Sequence, residues 1–221
     1  MTIEAIIFDM DGLLIDSEPI WDQARAKMAA RAGKTWNHQD HLNIMGVSTD
    51  YWVQYMMDRL ELNSTKQEVQ EEVIQQMVSL YKKEIPFRPY AVEAVRWAAQ
   101  RYPTALASGS PPQLIEMVTQ SASLKGCFKV VVSSDEIGVG KPDPTIYLET
   151  ARRLGFAPEN CLCIEDSAFG VLSGHRANMY VINVPDPKFP LSVEQANYAN
   201  LVLGSLGDLN ERAITRLILG N

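Results

Sequence analysis

The sequence has little that suits an oxidising compartment, a membrane or a polyanionic partner. Its 221 residues include only three cysteines, none in a CxxC spacing, so we expect neither a disulfide framework nor a cysteine-rich zinc site. A net charge of −7 gives no general attraction to nucleic acid or to an anionic membrane. No apolar run approaches the roughly 20 residues that cross a bilayer, and Met1 to Glu4 lack the basic start of a signal peptide. We therefore expect a cytoplasmic protein without nucleic-acid or membrane partners.

The apolar runs predict an α/β fold. Ala5 to Phe8 forms one short run, and five further runs alternate with amphipathic helical patterns. These five predicted strands are Thr104 to Ala107, Val130 to Ser133, Leu162 to Ile164, Tyr180 to Val184 and Leu201 to Leu203. Nearly continuous apolarity indicates strands covered on both faces, and intervening helices indicate parallel crossovers. The expected core is a doubly wound, mostly parallel, Rossmann-like sheet.

The segment between the first strand and the rest of the sheet has a different pattern. It has helical spacing and no convincing strand, and prolines mark both of its boundaries. The spacing is clearest in Val69, Val73, Met77 and Leu80. We therefore predict an α/β core of residues 1–15 and 88–221, interrupted by a helical cap of residues 16–87.

Polar groups follow several of the predicted strands. Asp9 and Asp11 follow the first strand, and Ser108 and Gly109 end the second. The pair Glu165-Asp166 ends the fourth strand. Lys141 lies in a Gly-Lys-Pro loop before a helix. Ligands of open α/β sheets bind outside the carboxyl ends of the strands. Buried carboxylates are costly unless a cation or a reaction uses them. We expect these groups to converge at one edge of the sheet.

The converging groups suit a phosphate ester and a hard divalent cation. Mg²⁺ prefers oxygen ligands, which Asp9, Asp166 and Glu165 can supply. Lys141, the Ser108 hydroxyl and nearby backbone N–H groups can bind phosphate oxygens. Asp9 can attack phosphorus to form an aspartyl-phosphate, and Asp11 can act as the general acid and base. A turn-forming or helix-capping role is the alternative for each residue taken alone.

Four motifs together resemble the haloacid dehalogenase superfamily. They are Phe8-Asp9-Met10-Asp11-Gly12, Ala107-Ser108-Gly109-Ser110, Gly140-Lys141-Pro142-Asp143-Pro144 and Ile164-Glu165-Asp166-Ser167. The chain looks like the subgroup of β-phosphoglucomutases and sugar-phosphate phosphatases, which carry a small helical cap. The resemblance implies that Asp9 is the nucleophile and Asp11 the acid/base. It also implies a metal held by Asp9, the Asp11 backbone carbonyl and Asp166, with Glu165 a direct or water-mediated partner.

The resemblance to the family is weaker in the cap. It implies that Glu18, Trp21 and the loop of Gly46, Val47, Ser48 and Thr49 contact the substrate. Phosphoglucomutase relatives place a phosphate-binding arginine where this chain has Thr49, and its loss favours hydrolysis over transfer. The core is also re-entered through Pro89-Tyr90, where relatives commonly have Pro-Gly.

These patterns favour a Mg²⁺-dependent phosphomonoesterase that acts on a small phosphorylated metabolite, and we expect a sugar phosphate. A β-phosphoglucomutase-like transferase with the same nucleophile is the alternative, and a weakly active phosphometabolite-binding regulator is a third possibility. We expect a monomer or a weak homo-oligomer. His38 and His41 lack a supporting ligand cluster, so a surface or capping role is expected for both.

Overall fold

A computed structural model describes residues 2–44, 49–188 and 190–219. The chain forms two compact units, one of residues 1–15 and 87–221 and one of residues 16–86. We call the first the core unit and the second the cap unit, and we number strands and helices in chain order.

The core unit contains a fully parallel sheet of six strands. The order across the sheet is β3-β2-β1-β4-β5-β6. The strands are β1 (Ala5–Phe8), β2 (Thr104–Ser108), β3 (Val130–Ser133), β4 (Cys161–Glu165), β5 (Tyr180–Asn183) and β6 (Leu201–Val202). Every residue of β1, β2 and β4 is buried, as expected for strands covered on both faces. The prediction of a doubly wound, mostly parallel α/β core is confirmed.

Helices connect the strands of the core unit, and a last helix follows β6. They are α5 (Ala91–Ala99), α6 (Pro112–Thr119), α7 (Ser134–Ile137), α8 (Thr145–Leu154), α9 (Ala168–Arg176), α10 (Val193–Ala196) and α11 (Glu211–Leu219). Gly155 follows α8 and, with a positive φ of 83°, caps the C-terminus of the helix in the left-handed conformation. The apolar side of α8 buries Ile146, Tyr147 and Ala151 in a cluster that includes Ile7 of β1. The helix is thereby fixed against the centre of the sheet.

The cap unit is helical. Its helices are α1 (Glu18–Arg31), α2 (His38–Asn43), α3 (Thr49–Leu60) and α4 (Lys66–Tyr81). Reciprocal capping boxes at Asn37 and Thr65 begin α2 and α4. Val69, Val73 and Met77 of α4 are fully buried, in agreement with their helical spacing. Among the described residues, no helix combines the length and apolarity needed to cross a membrane.

The turn into α5 contains Pro89-Tyr90 in place of the Pro-Gly pair common in the resembled family. Tyr90 precedes the helix and adopts the left-handed conformation, with φ 64°. Its side chain is 57% exposed. A tyrosine therefore occupies a backbone geometry that glycine adopts without a steric penalty.

Candidate active site

Three neighbouring strands bring the predicted site residues to one edge of the sheet. Phe8 at the end of β1 pairs with Leu106 of β2 on one side and with Ile164 of β4 on the other. The Asp9 N–H extends this pairing by donating to the Ile164 carbonyl at 3.0 Å. Ser108 and Glu165 are the last residues of their strands, so all these side chains begin at the same level of the sheet.

Lys141 connects two of the carboxylates. Its ammonium donates to Asp9 Oδ1 at 2.5 Å, to Glu165 Oε1 at 2.6 Å and to the Ala107 carbonyl at 3.2 Å. Only 11% of the Lys141 side chain is exposed. Burial alone would lower its pKa, but the Asp9 and Glu165 carboxylates outweigh burial and hold the pKa above its usual value. Lys141 is therefore a fixed, charged group beside Asp9.

Asp9, Glu165 and Asp166 form a group of buried carboxylates. One oxygen from each lies within 4.8 Å of the others. Burial, and next the charge of Glu165, raise the pKa of Asp9 to about 8 despite the opposing effect of Lys141. Burial and then the charge of Asp9 raise the pKa of Asp166. Ionised together, the three carboxylates would carry more negative charge than Lys141 alone balances, which is why the pKa values of Asp9 and Asp166 are raised.

The same group fits a hard divalent cation. Asp166 Oδ1 is buried without a hydrogen-bond partner, although buried carboxylate oxygens normally have one. A cation between Asp9 and Asp166 would satisfy this oxygen and relieve the repulsion between the two carboxylates. These two residues are therefore the side chains best suited to hold a metal.

Asp11 is held by two hydroxyl groups from the loop after β2. Its Oδ2 accepts from Ser108 Oγ at 2.9 Å and from Ser110 Oγ at 2.8 Å. Ser108 Oγ in turn accepts from the Ser110 N–H at 3.0 Å. The other carboxylate oxygen of Asp11 is buried and has no hydrogen-bond partner. Gly109, between the two serines, is exposed.

Glu165 is surrounded by donors from the protein. Oε1 accepts from Lys141 and, at 2.7 Å, from the Tyr147 hydroxyl. Oε2 accepts from the N–H of Asp166 at 3.2 Å, the N–H of Ser167 at 3.4 Å and the Ser167 hydroxyl at 3.2 Å. Both oxygens of this fully buried carboxylate thus have partners. The expected contact of Glu165 with a metal stays a prediction.

Two glycines allow the chain to approach these carboxylates. Gly12 has a φ of 85°, and a Cβ at this position would overlap the Asp166 carboxylate. A Cβ at Gly170 in α9 would overlap the Glu165 carboxylate. Any larger residue at either position would displace an acidic side chain of the site.

Two of these side chains carry no clear signal in the sequence. Tyr147 occupies an apolar position in the period of α8, so its hydroxyl is not expected at the site. Ser110 belongs to the Ser-Gly-Ser strand end, but nothing in its spacing marks it as a partner of Asp11. Contacts of this kind depend on where loops and rotamers bring a side chain.

The predicted cap residues occupy separate positions within the cap unit. Glu18 is the first residue of α1, and Trp21 lies one turn later with its ring centroid 6.0 Å from that of Trp52. Thr49 is the first residue of α3. Gly46, Val47 and Ser48 lie outside the described residues. Contact between the cap candidates and a substrate stays a prediction.

A polar cluster within the cap unit was not expected. His41 is 7% exposed and lies 3.5 Å from both Glu18 Oε2 and Asp22 Oδ1, so the expected surface position is wrong for this histidine. His38 is exposed, as expected. The Arg25 guanidinium is also buried and stacks on the Trp21 ring at 5.0 Å. Burial lowers the pKa of Arg25 to about 10, against the opposing effects of Glu18 and Asp22.

Comparison with protein-family models decides the affiliation of the chain. Residues 3–178 match the family described as haloacid dehalogenase-like hydrolase. The chain belongs to this family. The metal-compatible carboxylates agree with the general use of a divalent cation by haloacid dehalogenase-like hydrolases.

Curated relatives of this haloacid dehalogenase-like hydrolase include named phosphatases. Hexitol phosphatase B of Escherichia coli O157:H7 is 36% identical over 219 residues, which cover 95% of this chain and 96% of the relative. The phosphorylated carbohydrates phosphatase of Thermotoga maritima is 32% identical over 178 residues, covering 80% and 82%. The β-phosphoglucomutase structure from Clostridium difficile has a TM-score of 0.80 at 24% identity, covering 98% and 97%, and supports the fold.

Proposed function

We propose that the protein is a Mg²⁺-dependent phosphomonoesterase that hydrolyses a small phosphorylated metabolite, a phosphate ester of a sugar or sugar alcohol. The observation that carries the proposal is the buried Lys141 ammonium, 2.5 Å from Asp9, together with the close grouping of the Asp9, Glu165 and Asp166 carboxylates. This arrangement supports the binding of a dianionic ester together with a divalent cation. The names of the two phosphatase relatives support the class of leaving group.

Asp9 is the proposed nucleophile. Its carboxylate oxygen attacks phosphorus in line, the bond from phosphorus to the ester oxygen breaks, and an aspartyl-phosphate forms. Lys141 and the Gly109 N–H bind the phosphate oxygens, and the Ser108 hydroxyl joins them by turning its single hydrogen from Asp11 to the phosphate. Water then attacks the aspartyl-phosphate, which releases inorganic phosphate and regenerates the Asp9 carboxylate.

Asp11 is the proposed proton carrier. Two serine hydroxyls already donate to its Oδ2, whereas Oδ1 is buried without a partner. A proton is therefore best placed on Oδ1, from which it passes to the departing ester oxygen. The ionised Asp11 then accepts a proton from the attacking water, which restores its starting state.

The proposed metal ligands are Asp9, the backbone carbonyl of Asp11 and Asp166, with Glu165 a direct or water-mediated partner. When bound, Mg²⁺ supplies positive charge that lowers the repulsion between an anionic nucleophile and an anionic phosphate. Asp166 is suited to this set because its Oδ1 has no hydrogen-bond partner. Among the chain's own donors, Lys141 complements the metal as a second cation.

Hydrolysis is favoured over phosphoryl transfer to a second sugar by Thr49, which replaces the arginine of phosphoglucomutase relatives. The cap candidates Glu18, Trp21 and residues 46–49 are proposed to select the leaving group. The three unpaired thiols support a reducing, cytoplasmic location.

A phosphate-release screen over sugar, polyol and nucleotide monophosphates, with Mg²⁺ or with chelator, tests the proposal. We expect Mg²⁺-dependent release from sugar or polyol phosphates. Asp9→Asn should abolish it, because an amide cannot form the acyl phosphate, whereas the matched control Asp58→Asn in the cap unit should retain full activity. With a bisphosphate primer present, conversion of glucose 1-phosphate to glucose 6-phosphate without matching free phosphate would instead establish a mutase. Full turnover by Asp9→Asn would contradict the mechanism.

A further inference from the structure

Tyr147 of α8 is a buried polar group to which the proposed mechanism gives no role. Its residue is fully buried, and its hydroxyl donates to Glu165 Oε1 at 2.7 Å. A buried tyrosine usually directs its hydroxyl to a partner, so this contact alone does not separate a functional role from a structural one. The oxygen that accepts this hydrogen bond indicates a functional role, because it also accepts from Lys141.

Glu165 Oε1 is the oxygen that also accepts from Lys141, at 2.6 Å. The Lys141 ammonium in addition lies 5.1 Å from the centroid of the Tyr147 ring. Tyr147 therefore contacts Lys141 directly through its aromatic ring and is linked to it indirectly through Glu165 Oε1, which accepts from both side chains. The orientation of Tyr147 thus constrains both the Lys141 ammonium and the Glu165 carboxylate that pairs with it.

The second oxygen of Glu165 is held separately. Ser167 supplies its N–H and hydroxyl to Oε2, and Asp166 supplies its N–H. These contacts fix one side of the carboxylate, and the Tyr147 hydroxyl fixes the other. Without that hydroxyl, Lys141 would be the sole remaining donor to Oε1 among the described residues, and the carboxylate would be free to rotate towards it.

We infer that Tyr147 is a positioning residue that sets the Lys141 ammonium against Asp9 by fixing Glu165. This inference rests on the proposed function, in which Lys141 binds the phosphate. The relevant contacts are charge-assisted and buried, so small displacements have large effects. Loss of the hydroxyl should weaken phosphate binding and slow the chemical step, while metal binding through Asp9 and Asp166 should persist.

Tyr147→Phe tests the inference, because it removes the hydroxyl and retains the ring. Tyr180→Phe on β5 is the matched control. We expect kcat/KM of Tyr147→Phe to fall about 10- to 100-fold, the usual range for residues that orient a metal-site or active-site group. We expect its Kd for inorganic phosphate, measured calorimetrically at saturating Mg²⁺, to rise about tenfold. The Mg²⁺ midpoint in a thermal-shift titration should stay within about twofold of wild type.

A double-mutant cycle with Glu165→Gln identifies the route of the effect. If Tyr147 acts through Glu165, Tyr147→Phe should cause little further loss of phosphate affinity in the Glu165→Gln background. Unchanged kcat and phosphate affinity in Tyr147→Phe would overturn the inference. So would a full additional loss in the Glu165→Gln background, or a rise in the Mg²⁺ midpoint as large as the rise in phosphate Kd.

The binding measurements distinguish this inference from the proposed function. If wild-type protein released phosphate from no ester, the proposed function would fail. The effect of Tyr147→Phe on inorganic phosphate binding would still be measured, and its presence or absence would still decide the positioning role.

Discussion

Mg²⁺ should stabilise this protein more strongly at neutral pH than at mildly acidic pH. Burial and the charge of Glu165 raise the pKa of Asp9 from an ordinary 3.8 to about 8 in the metal-free protein. At pH values between 3.8 and about 8, the folded protein therefore retains a proton on Asp9 that the unfolded chain has already lost. A carboxyl whose pKa rises on folding contributes stability that is complete below its unfolded pKa and is lost as the pH rises through its folded pKa.

The size of the effect follows from this linkage. Each pH unit inside the interval lowers the free energy of unfolding of the metal-free protein by up to about 1.4 kcal/mol. Between about pH 5.5 and about pH 7.5 the loss is therefore up to about 2.7 kcal/mol. Asp166, whose pKa is also raised, contributes in the same direction. Saturating Mg²⁺ holds Asp9 ionised and should remove most of this dependence, because protons and metal compete for the same oxygens.

Scanning calorimetry at the two pH values, with chelator and with excess Mg²⁺, measures the difference. The increase in Tm caused by Mg²⁺ should be about 5–10 °C larger at about pH 7.5 than at about pH 5.5. Asp9→Asn should reduce the pH dependence of the metal-free protein, since an amide does not titrate, whereas Asp58→Asn should leave it unchanged. Equal Mg²⁺ increments at both pH values would refute the reasoning.

Two further predictions concern stability away from the acidic site. Arg25→Met should raise the free energy of unfolding by about 1 kcal/mol, because Arg25 Nε and Nη1 are buried without hydrogen-bond partners. The lost stacking of the guanidinium on Trp21 and Trp52 offsets part of this gain. Tyr90→Gly should raise it by about 0.5 kcal/mol, because relief of the left-handed conformation exceeds the entropy that glycine loses on folding.

Urea unfolding measures both effects. Arg31→Met, at an exposed position of α1, is the control for Arg25→Met. If Arg25→Met lowered the free energy of unfolding by more than about 1 kcal/mol, burial of the guanidinium would not carry the expected net cost. Tyr90→Ala is the control for the second variant, because alanine retains the left-handed penalty. Equal stability of the alanine and glycine variants would show that the backbone geometry is not the cause.

The sequence predicted the strands and the edge of the sheet where the acidic residues lie because both depend on local pattern. Short apolar runs define β1, β2 and β4, and a parallel sheet brings their carboxyl ends together whatever the loops do. Asp9, Ser108 and Glu165 could therefore be assigned to one edge before their distances were known. Tyr90 was a recognisable departure from Pro-Gly, but only the fold revealed its left-handed backbone.

Side-chain partners could not be predicted from the sequence to the same extent. Phosphate binding by Ser108 stays a prediction, and nothing in the sequence indicated that the hydroxyls of Ser108 and Ser110 both donate to Asp11. His41 was expected at the surface, yet it is buried between Glu18 and Asp22. These outcomes depend on how neighbouring elements pack, which hydropathy patterns do not specify.

By itself, the sequence determined the acidic strand ends, the parallel sheet and the chemistry that those residue types permit. Only the tertiary structure decided which charges meet. Lys141 and Asp9 are separated by 132 positions in the chain, and their 2.5 Å contact results from the path of the loop before α8. The hydroxyl of Tyr147 reaches Glu165 for the same reason. Residue type and the local hydropathy pattern determine where a strand ends. Burial and long-range packing determine which hydrogen-bond donors reach the carboxylate at that end.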